Sequence, residues 1–98
     1  MRVNNECIKA ILNFVIDNTS ITCENTKCYI LQTDLYKIIE GLKEKYEKET
    51  IVHSVIYASK CGYLDMKPIR EHSNIVYANC DIADVTPLGY QFLENGHE

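Results

Sequence analysis

The chain has 98 residues, 46% hydrophobic and 24% charged, which is typical of one folded domain with a single core over residues 1–98. The richest apolar stretch, residues 10–16, is far shorter than a membrane span, and residues 1–6 lack the layout of a signal peptide, so we expect a cytoplasmic protein. The net charge of −4 comes from residues 81–98, because residues 1–80 hold ten basic and ten acidic side chains, and such an acidic end repels phosphate.

Residues 3–17 are predicted to form the first helix. Its apolar side chains recur at helical spacing, namely Cys7, Ile8, Ile11, Leu12, Val15 and Ile16. Further apolar positions at Val3, Ala10 and Phe14 widen this stripe. The extra width makes the helix a candidate surface for a homodimer.

Residues 20–30 have no helical period and contain several β-forming residues, so we expect a short strand or a structured loop there. A second helix is predicted from residue 31 to residue 45, despite the cost of one glycine inside it. Its apolar set is Leu31, Leu35, Ile38, Ile39 and Leu42. The charged stretch 43–49 extends this helix or forms the turn that follows it.

A third helix is predicted from an N-cap at Thr50 to Gly62, whose left-handed conformation would end it. The side chains expected to face inward are Ile51, Val52, Val55, Ile56 and Ala58. Residues 63–69 are predicted to form a strand that Pro68 limits to an edge or a strand end. The polar residues 70–74 are predicted to form the tip of a hairpin.

Apolar and polar residues alternate from residue 76 to residue 82, which predicts a returning strand with one buried face. Thr86 is placed to cap the last helix, and Pro87 fits its first helical position. Gly96 would end this helix, whose core-facing residues are predicted to be Leu88, Phe92 and Leu93. This order predicts an α+β fold: a single winged helix-turn-helix domain with three helices, a β-hairpin wing and a short C-terminal helix.

Two stretches carry a resemblance, residues 51–64 (Ile-Val-His-Ser-Val-Ile-Tyr-Ala-Ser-Lys-Cys-Gly-Tyr-Leu) and residues 85–93 (Val-Thr-Pro-Leu-Gly-Tyr-Gln-Phe-Leu). They resemble small winged-helix proteins of bacteria and their phages, the YjcQ-like group, in which a histidine-bearing helix ends in a Gly-Tyr-Leu turn before the wing. The resemblance covers about half of the chain. It implies the fold and a phage or mobile-element origin, and it carries over no catalytic residue.

Recognition of DNA is the first function that a winged-helix layout suggests. The third helix would enter the major groove with a face made of Glu49, Thr50, His53, Ser54, Tyr57 and Lys60. Base-specific contacts are made mostly by Arg, Lys, Asn and Gln, and this face contains one lysine and none of the others. In the wing, the residues that would meet phosphate are Lys67, Arg70, His72 and Asn74, diluted by Asp65 and Glu71.

Protein recognition suits the same side of the domain better. The chain has seven tyrosines and no tryptophan, and tyrosine is enriched at protein interfaces. Tyr57 and Tyr77 are the best interface candidates, because their predicted positions point away from the core. The acidic residues of the C-terminal part are Asp81, Asp84, Glu94 and Glu98. They suggest that the protein occupies a basic site on a nucleic-acid-handling host complex.

The odd number of cysteines and the absence of an export signal predict reduced thiols that are mostly buried. Cys7, Cys61 and Cys80 fall at apolar positions, where a free thiol behaves as a small hydrophobe. Cys23 and Cys28 have a spacing that zinc sites use, but no second pair of ligands lies near them in the sequence. We therefore predict no metal site.

Catalysis would need a nucleophile and a base within hydrogen-bond reach. His53 and Cys61 share one predicted helix but lie eight residues apart, about 12 Å along its axis, so they cannot pair. The chain has no Gly-rich phosphate loop and no paired-carboxylate signature. We expect no enzymatic activity and no cofactor.

These observations predict a non-enzymatic binding module of phage type that docks on a protein partner, as an inhibitor or adaptor of host defence. The alternative is a winged-helix DNA-binding transcriptional regulator that acts as a homodimer on duplex DNA. Neither function involves a membrane. The predicted partner-binding residues are Thr50, His53, Ser54, Tyr57, Lys60, Lys67, Arg70, His72, Tyr77, Asp81 and Asp84.

Overall fold

The computed structural model describes residues 2–66, 69–71, 74–76 and 81–95, with 69–71, 74–76 and 81–83 described by their backbone alone. The described residues form both helices and antiparallel strands, so the predicted α+β class is confirmed. The elements are α1 (Asn5–Asn18), β1 (Ser20–Glu24), β2 (Lys27–Leu31), β3 (Thr33–Asp34), α2 (Leu35–Leu42), α3 (Lys48–Lys60), β4 (Leu64–Met66), β5 (Ile69–Glu71), β6 (Asn74–Val76), β7 (Asp81–Val85) and α4 (Pro87–Asn95). Among these residues, no helix is long and apolar enough to cross a membrane.

The core lies where α1 packs against α2, α3 and β7. Asn4 starts α1, because its side-chain oxygen accepts a hydrogen bond from the backbone N–H of Cys7 at 3.0 Å. Of the six predicted inner residues of this helix, five are buried, namely Cys7, Ile8, Ile11, Leu12 and Val15, and Ile16 is half-buried against the core. Each buried Ile, Leu or Val contributes about 1.5–3 kcal/mol relative to an exposed one, so α1 supplies a large part of the stability of the core.

Phe14 turns toward α2 and lies against Gly41. A Cβ atom built on Gly41 would overlap the ring of Phe14 at Cε2, so any other residue at this position would force the ring to move. The packing explains why α2 keeps a residue of low helix propensity. It also removes Phe14 from the predicted dimer surface of α1, because its ring faces α2 of the same chain.

The second helix is shorter at both ends than the predicted range of residues 31–45. Leu31 belongs to β2, and Asp34 caps α2 by accepting a hydrogen bond from the backbone N–H of Lys37 at 2.8 Å. Between them, Thr33 pairs with Ile82 of β7. The start of this helix is therefore set by strand pairing between residues distant in sequence. Helical periodicity cannot predict such a pairing.

The third helix begins earlier than predicted. Glu47, in extended conformation, is its N-cap, and the backbone oxygen of Glu47 accepts a hydrogen bond from Ile51 N at 3.0 Å. Thr50 lies inside the first turn instead of capping it. The charged stretch 43–49 is thus divided between the connection after α2 and the first turn of α3.

The three-stranded sheet takes two of its strands, β4 and β7, from the C-terminal half of the chain and the third, β3, from the N-terminal half. β7 lies between β3 and β4 and runs antiparallel to both, with Leu64 opposite Val85. β5 and β6 form the predicted hairpin, with Ile69 opposite Val76 and Glu71 opposite Asn74. β5 includes residues 70 and 71 and β6 includes residue 74, all of which were predicted to lie in the turn at 70–74. Pro68, residues 77–80 and Gly96 lie outside the described residues.

The segment predicted as one strand or a loop is a complete hairpin. β1 and β2 pair antiparallel in continuous register from Ser20 opposite Leu31 to Glu24 opposite Lys27. Asn25, at the two-residue turn, has a φ of 55°, a left-handed conformation that asparagine adopts more readily than most residues. This β1–β2 hairpin (residues 20–31) is a separate two-stranded sheet.

Candidate partner-binding surfaces

The N-terminal half of α3 carries a shallow, open groove with a volume of about 410 Å³. Its lining residues lie on one side of the helix and are Lys48, Glu49, Val52, His53 and Ile56. Val52 and Ile56 are half-buried and, four residues apart, are neighbours on the helix surface. One lysine and one glutamate cancel in charge. This α3 groove is therefore a mainly apolar depression with a histidine at its side.

Thr50 lies away from this groove. It lines a second open depression, of about 510 Å³, together with residues 2–6 at the start of the chain. The structure thus separates two of the predicted partner-binding residues, because Thr50 and His53 face different depressions. The groove also shows that Val52 and Ile56, which were predicted to face inward, keep an accessible side.

Ser54 was predicted to be exposed, and this is wrong. It is 1% exposed, and its Oγ is buried without a hydrogen-bond partner of ordinary geometry within the described residues. Its side chain interacts with the thiol of Cys7 in α1. Burial raises the pKa of Cys7 above its ordinary value, and the interaction with Ser54 partly offsets this. Ser54 therefore belongs to the contact between α1 and α3.

Tyr57 and Lys60 are exposed near the C-terminal end of α3, as predicted. Hydrogen bonding to the side chain of Cys61, one helical turn further on, raises the pKa of Tyr57 above its ordinary value. Lys60 lies in the last turn of the helix, where a cation interacts favourably with the helix dipole. These two side chains are available to a partner.

The remaining predicted residues come from the C-terminal half. Lys67, His72 and Tyr77 lie outside the described residues, and Arg70 in β5 and Asp81 in β7 are described by their backbone alone. Asp84 is exposed, and its carboxylate accepts a hydrogen bond from Val85 N at 2.7 Å.

The end of α3 and the start of α4 contact each other. We call this region, residues 61–64 and 85–92, the α3–α4 junction. Gly62 ends α3 with a φ of 79°, and Tyr63 N donates to Ala58 O at 2.8 Å. The hydroxyl of Thr86 donates to the backbone oxygen of Gly62, and Thr86 N donates to Tyr63 O at 3.0 Å. These bonds give both segments a structural role.

The start of α4 completes the junction. Gly89 N donates to Thr86 Oγ1 at 3.2 Å, which confirms the predicted cap. The rings of Tyr63 and Phe92 stack with centroids 4.8 Å apart. Phe92 and Leu93 pack against the core as predicted. Leu88 was predicted to do so as well, but it is 54% exposed.

The β1–β2 hairpin is the surface that sequence reasoning missed. All ten strand residues are exposed, including four large apolar ones: Ile21, Tyr29, Ile30 and Leu31. Neither strand packs extensively against any other element in the described part of the chain. Two runs of β-forming residues on either side of Asn25 were a usable signal for a hairpin.

The hairpin also overturns the prediction that all five cysteines are reduced. Cys23 and Cys28 lie directly opposite each other and form a disulfide. Sulfurs joined in this way are not available as thiolate ligands of zinc. Cys7 and Cys61 are free, with Cys7 buried as predicted and Cys61 half-buried. The described residues contain no cluster of three or more His, Cys, Asp or Glu side chains that could hold a metal ion.

A scan against protein-family models and searches of curated proteins and of solved structures each found no match to this chain.

Proposed function

We propose that the chain is a non-enzymatic binding module of winged-helix type that docks on a protein partner. In this proposal α3 and the β5–β6 hairpin, as the wing, form one binding side. The observation that carries it is the α3 groove, where the accessible sides of Val52 and Ile56 meet His53. An apolar depression flanked by polar groups suits the side chains of another protein.

The chemistry of α3 argues for a protein over DNA. A helix that reads the major groove uses Arg, Lys, Asn or Gln against base edges. Here the first turn places Lys48 beside Glu49, and their charges cancel where phosphate would lie. Lys60 alone adds a cation near the other end of the helix, whereas DNA binding through counterion release needs several cations on one surface. The dimeric DNA-binding regulator is the alternative.

We further propose that the partner belongs to a nucleic-acid-handling host complex, on which the protein acts as an inhibitor or adaptor of host defence. The support is electrostatic. Asp84 and Glu94 are exposed, and residues 81–98 contain no lysine or arginine. A local negative field of this kind attracts the basic surfaces with which such complexes hold phosphate.

The test compares the wild-type chain with Val52→Glu, which places a charge in the α3 groove. Leu88→Glu is the matched control, because it places the same charge on an exposed apolar residue of α4. The immobilised proteins capture candidates from a bacterial lysate, and each candidate is then purified and titrated. We expect a partner whose dissociation constant rises at least about tenfold for Val52→Glu and less than about twofold for Leu88→Glu.

Circular dichroism first establishes that both variants are folded. A set of partners that binds all three proteins equally would overturn the assignment of the α3 groove. A titration with mixed-sequence duplex DNA at low and moderate salt tests the alternative in parallel. Salt-dependent binding at micromolar concentrations would favour the DNA-binding regulator and make Lys60, Lys67 and Arg70 the residues to substitute.

A further inference from the structure

We propose that the β1–β2 hairpin is a homodimerisation edge, at which β2 of one copy pairs antiparallel with β2 of a second copy. This surface is separate from the α3 groove, so the proposal does not rest on the function proposed above. The two hairpins together would form one four-stranded sheet in the order β1, β2, β2 and β1.

The first argument is the isolation of the hairpin. A two-stranded sheet alone is marginally stable in water, and three or more strands are usually needed. No described element covers this one, and Ile21 and Ile30, which lie directly opposite each other, are 69% and 60% exposed. The disulfide keeps the strands together but leaves the outer edges of both strands unpaired. A second hairpin supplies the missing strands.

The second argument concerns which backbone groups point outward. Hydrogen-bonded and non-hydrogen-bonded pairs alternate along an antiparallel ladder, and the pair that flanks a two-residue turn is hydrogen-bonded. Cys23 and Cys28 are one position further from the turn, and their Cα atoms are 4.0 Å apart, the close spacing of a non-hydrogen-bonded pair. The outer edge of β2 therefore presents the N–H and C=O groups of Cys28 and Ile30.

These groups select one register for two identical strands. With Tyr29 opposite Tyr29 of the second copy, Cys28 of each copy lies opposite Ile30 of the other. Their outward groups then form four hydrogen bonds, whereas a symmetric register centred on Cys28 or on Ile30 forms two. Lys27 lies opposite Leu31 of the second copy, so no like charges face each other across the joint.

The third argument is the difference between the two edges. β2 contains Tyr29, Ile30 and Leu31 in sequence, all at least half exposed, and has no proline, bulge or central charge to discourage pairing. β1 offers only one large apolar side chain, Ile21, among polar residues and ends in Glu24. The β2 edges therefore pair, and the more polar β1 edges close the sheet at two copies.

The experiment is sedimentation equilibrium of the full chain in non-reducing buffer. A joint of five residues per copy is smaller than a standard interface, so the mean mass should rise from one chain toward two between about 5 and about 500 µM. Ile30→Pro removes an outward N–H from β2 and should abolish this rise. Ile21→Pro is the matched control, because it removes the outward N–H of the opposite residue in β1 and should leave association unchanged.

A wild-type chain that stays monomeric at the highest concentration would overturn the proposal. Equal loss of association in both variants would also overturn it, since that result indicates contact through the apolar face of the hairpin. A photoreactive benzoylphenylalanine in place of Tyr29 gives a readout that needs no proline variant. Thr22 of the same chain lies directly opposite residue 29, so only cross-links between two chains are counted. Attachment to residues 27–31 of the other copy supports the joint, and attachment to any other segment of the other copy contradicts it.

Discussion

The β1–β2 hairpin and the α3–α4 junction each contain a residue in left-handed conformation, Asn25 and Gly62 respectively. At the junction, Thr86 joins the end of α3 to the start of α4, and Tyr63 stacks on Phe92. In the hairpin, β1 and β2 pair with each other and pack extensively on no other described element. We infer that the junction contributes to the stability of the domain, whereas the hairpin adds little and remains available for binding.

The largest expected effect compares two isoleucines. Ile11 is completely buried, so Ile11→Ala should lower the free energy of unfolding by about 2–5 kcal/mol through lost burial and the cavity left behind. Ile21→Ala in the hairpin should change it by less than about 0.5 kcal/mol. Urea unfolding followed by far-UV circular dichroism measures both. A loss above about 1 kcal/mol for Ile21→Ala would show that the hairpin is packed in solution.

The two left-handed residues give the next contrast. Gly62→Ala should destabilise the domain by about 1–2 kcal/mol, because a Cβ atom disfavours positive φ. Asn25→Ala also disfavours the left-handed conformation, at the turn of the hairpin, because alanine adopts it less readily than asparagine. If the hairpin is energetically separate from the core, this second variant should leave the urea midpoint nearly unchanged. An equal shift for both variants would contradict the comparison.

The next prediction concerns the buried core, where the thiol of Cys7 should make the stability of the domain depend on pH. Burial raises the pKa of Cys7 above its ordinary value of 9.0. Above pH 9 the thiol therefore ionises in the unfolded chain first, the unfolded state binds fewer protons, and stability falls as pH rises. One proton limits this slope to about 1.4 kcal/mol per pH unit. Urea unfolding of the wild type and of Cys7→Ala between pH 8 and pH 10 gives the free energy of unfolding against pH for each protein. The difference between the two slopes measures the contribution of the Cys7 thiol.

Cys7→Ala has its own cavity cost, so the slopes are compared and not the absolute stabilities. The tyrosines that ionise in the same range are present in both proteins and cancel. Parallel slopes would mean that the thiol of Cys7 is accessible to solvent in the folded state. That result would conflict with its position in the contact between α1 and α3.

Sequence reasoning identified the residues that begin and end helices, and it missed the elements whose existence depends on a partner distant in sequence. Thr86 and Gly62 could be predicted because capping and left-handed stops have local chemical causes. The inner stripe of α1 followed from its spacing. The short strand Thr33–Asp34 could not be predicted, because its partner Ile82 lies 49 positions further along the chain and defines it.

Two wrong or missed predictions, the exposure of Ser54 and the β1–β2 hairpin, have identifiable physical causes. Ser54 lies three residues after Ile51 and four before Ala58, on the same side of α3 as the buried residues. Its spacing indicated burial, but we predicted exposure because serine is polar. In the β1–β2 hairpin, both faces are exposed, so no inward and outward alternation marks the strands. The disulfide follows from the register of that hairpin, which a count of cysteines cannot reveal.

The smallest expected effect is the most decisive for the comparison. In the chain-entropy description, a cross-link closing a loop of about six residues stabilises whatever folds with it by about 2 kcal/mol. The double variant Cys23→Ser with Cys28→Ser should nevertheless shift global unfolding by less than about 0.5 kcal/mol, because the hairpin packs extensively on no other described element. The loss should appear locally, as faster amide hydrogen exchange in residues 20–31 with unchanged exchange in α1. A global loss near 2 kcal/mol would mean that hairpin and core unfold as one unit.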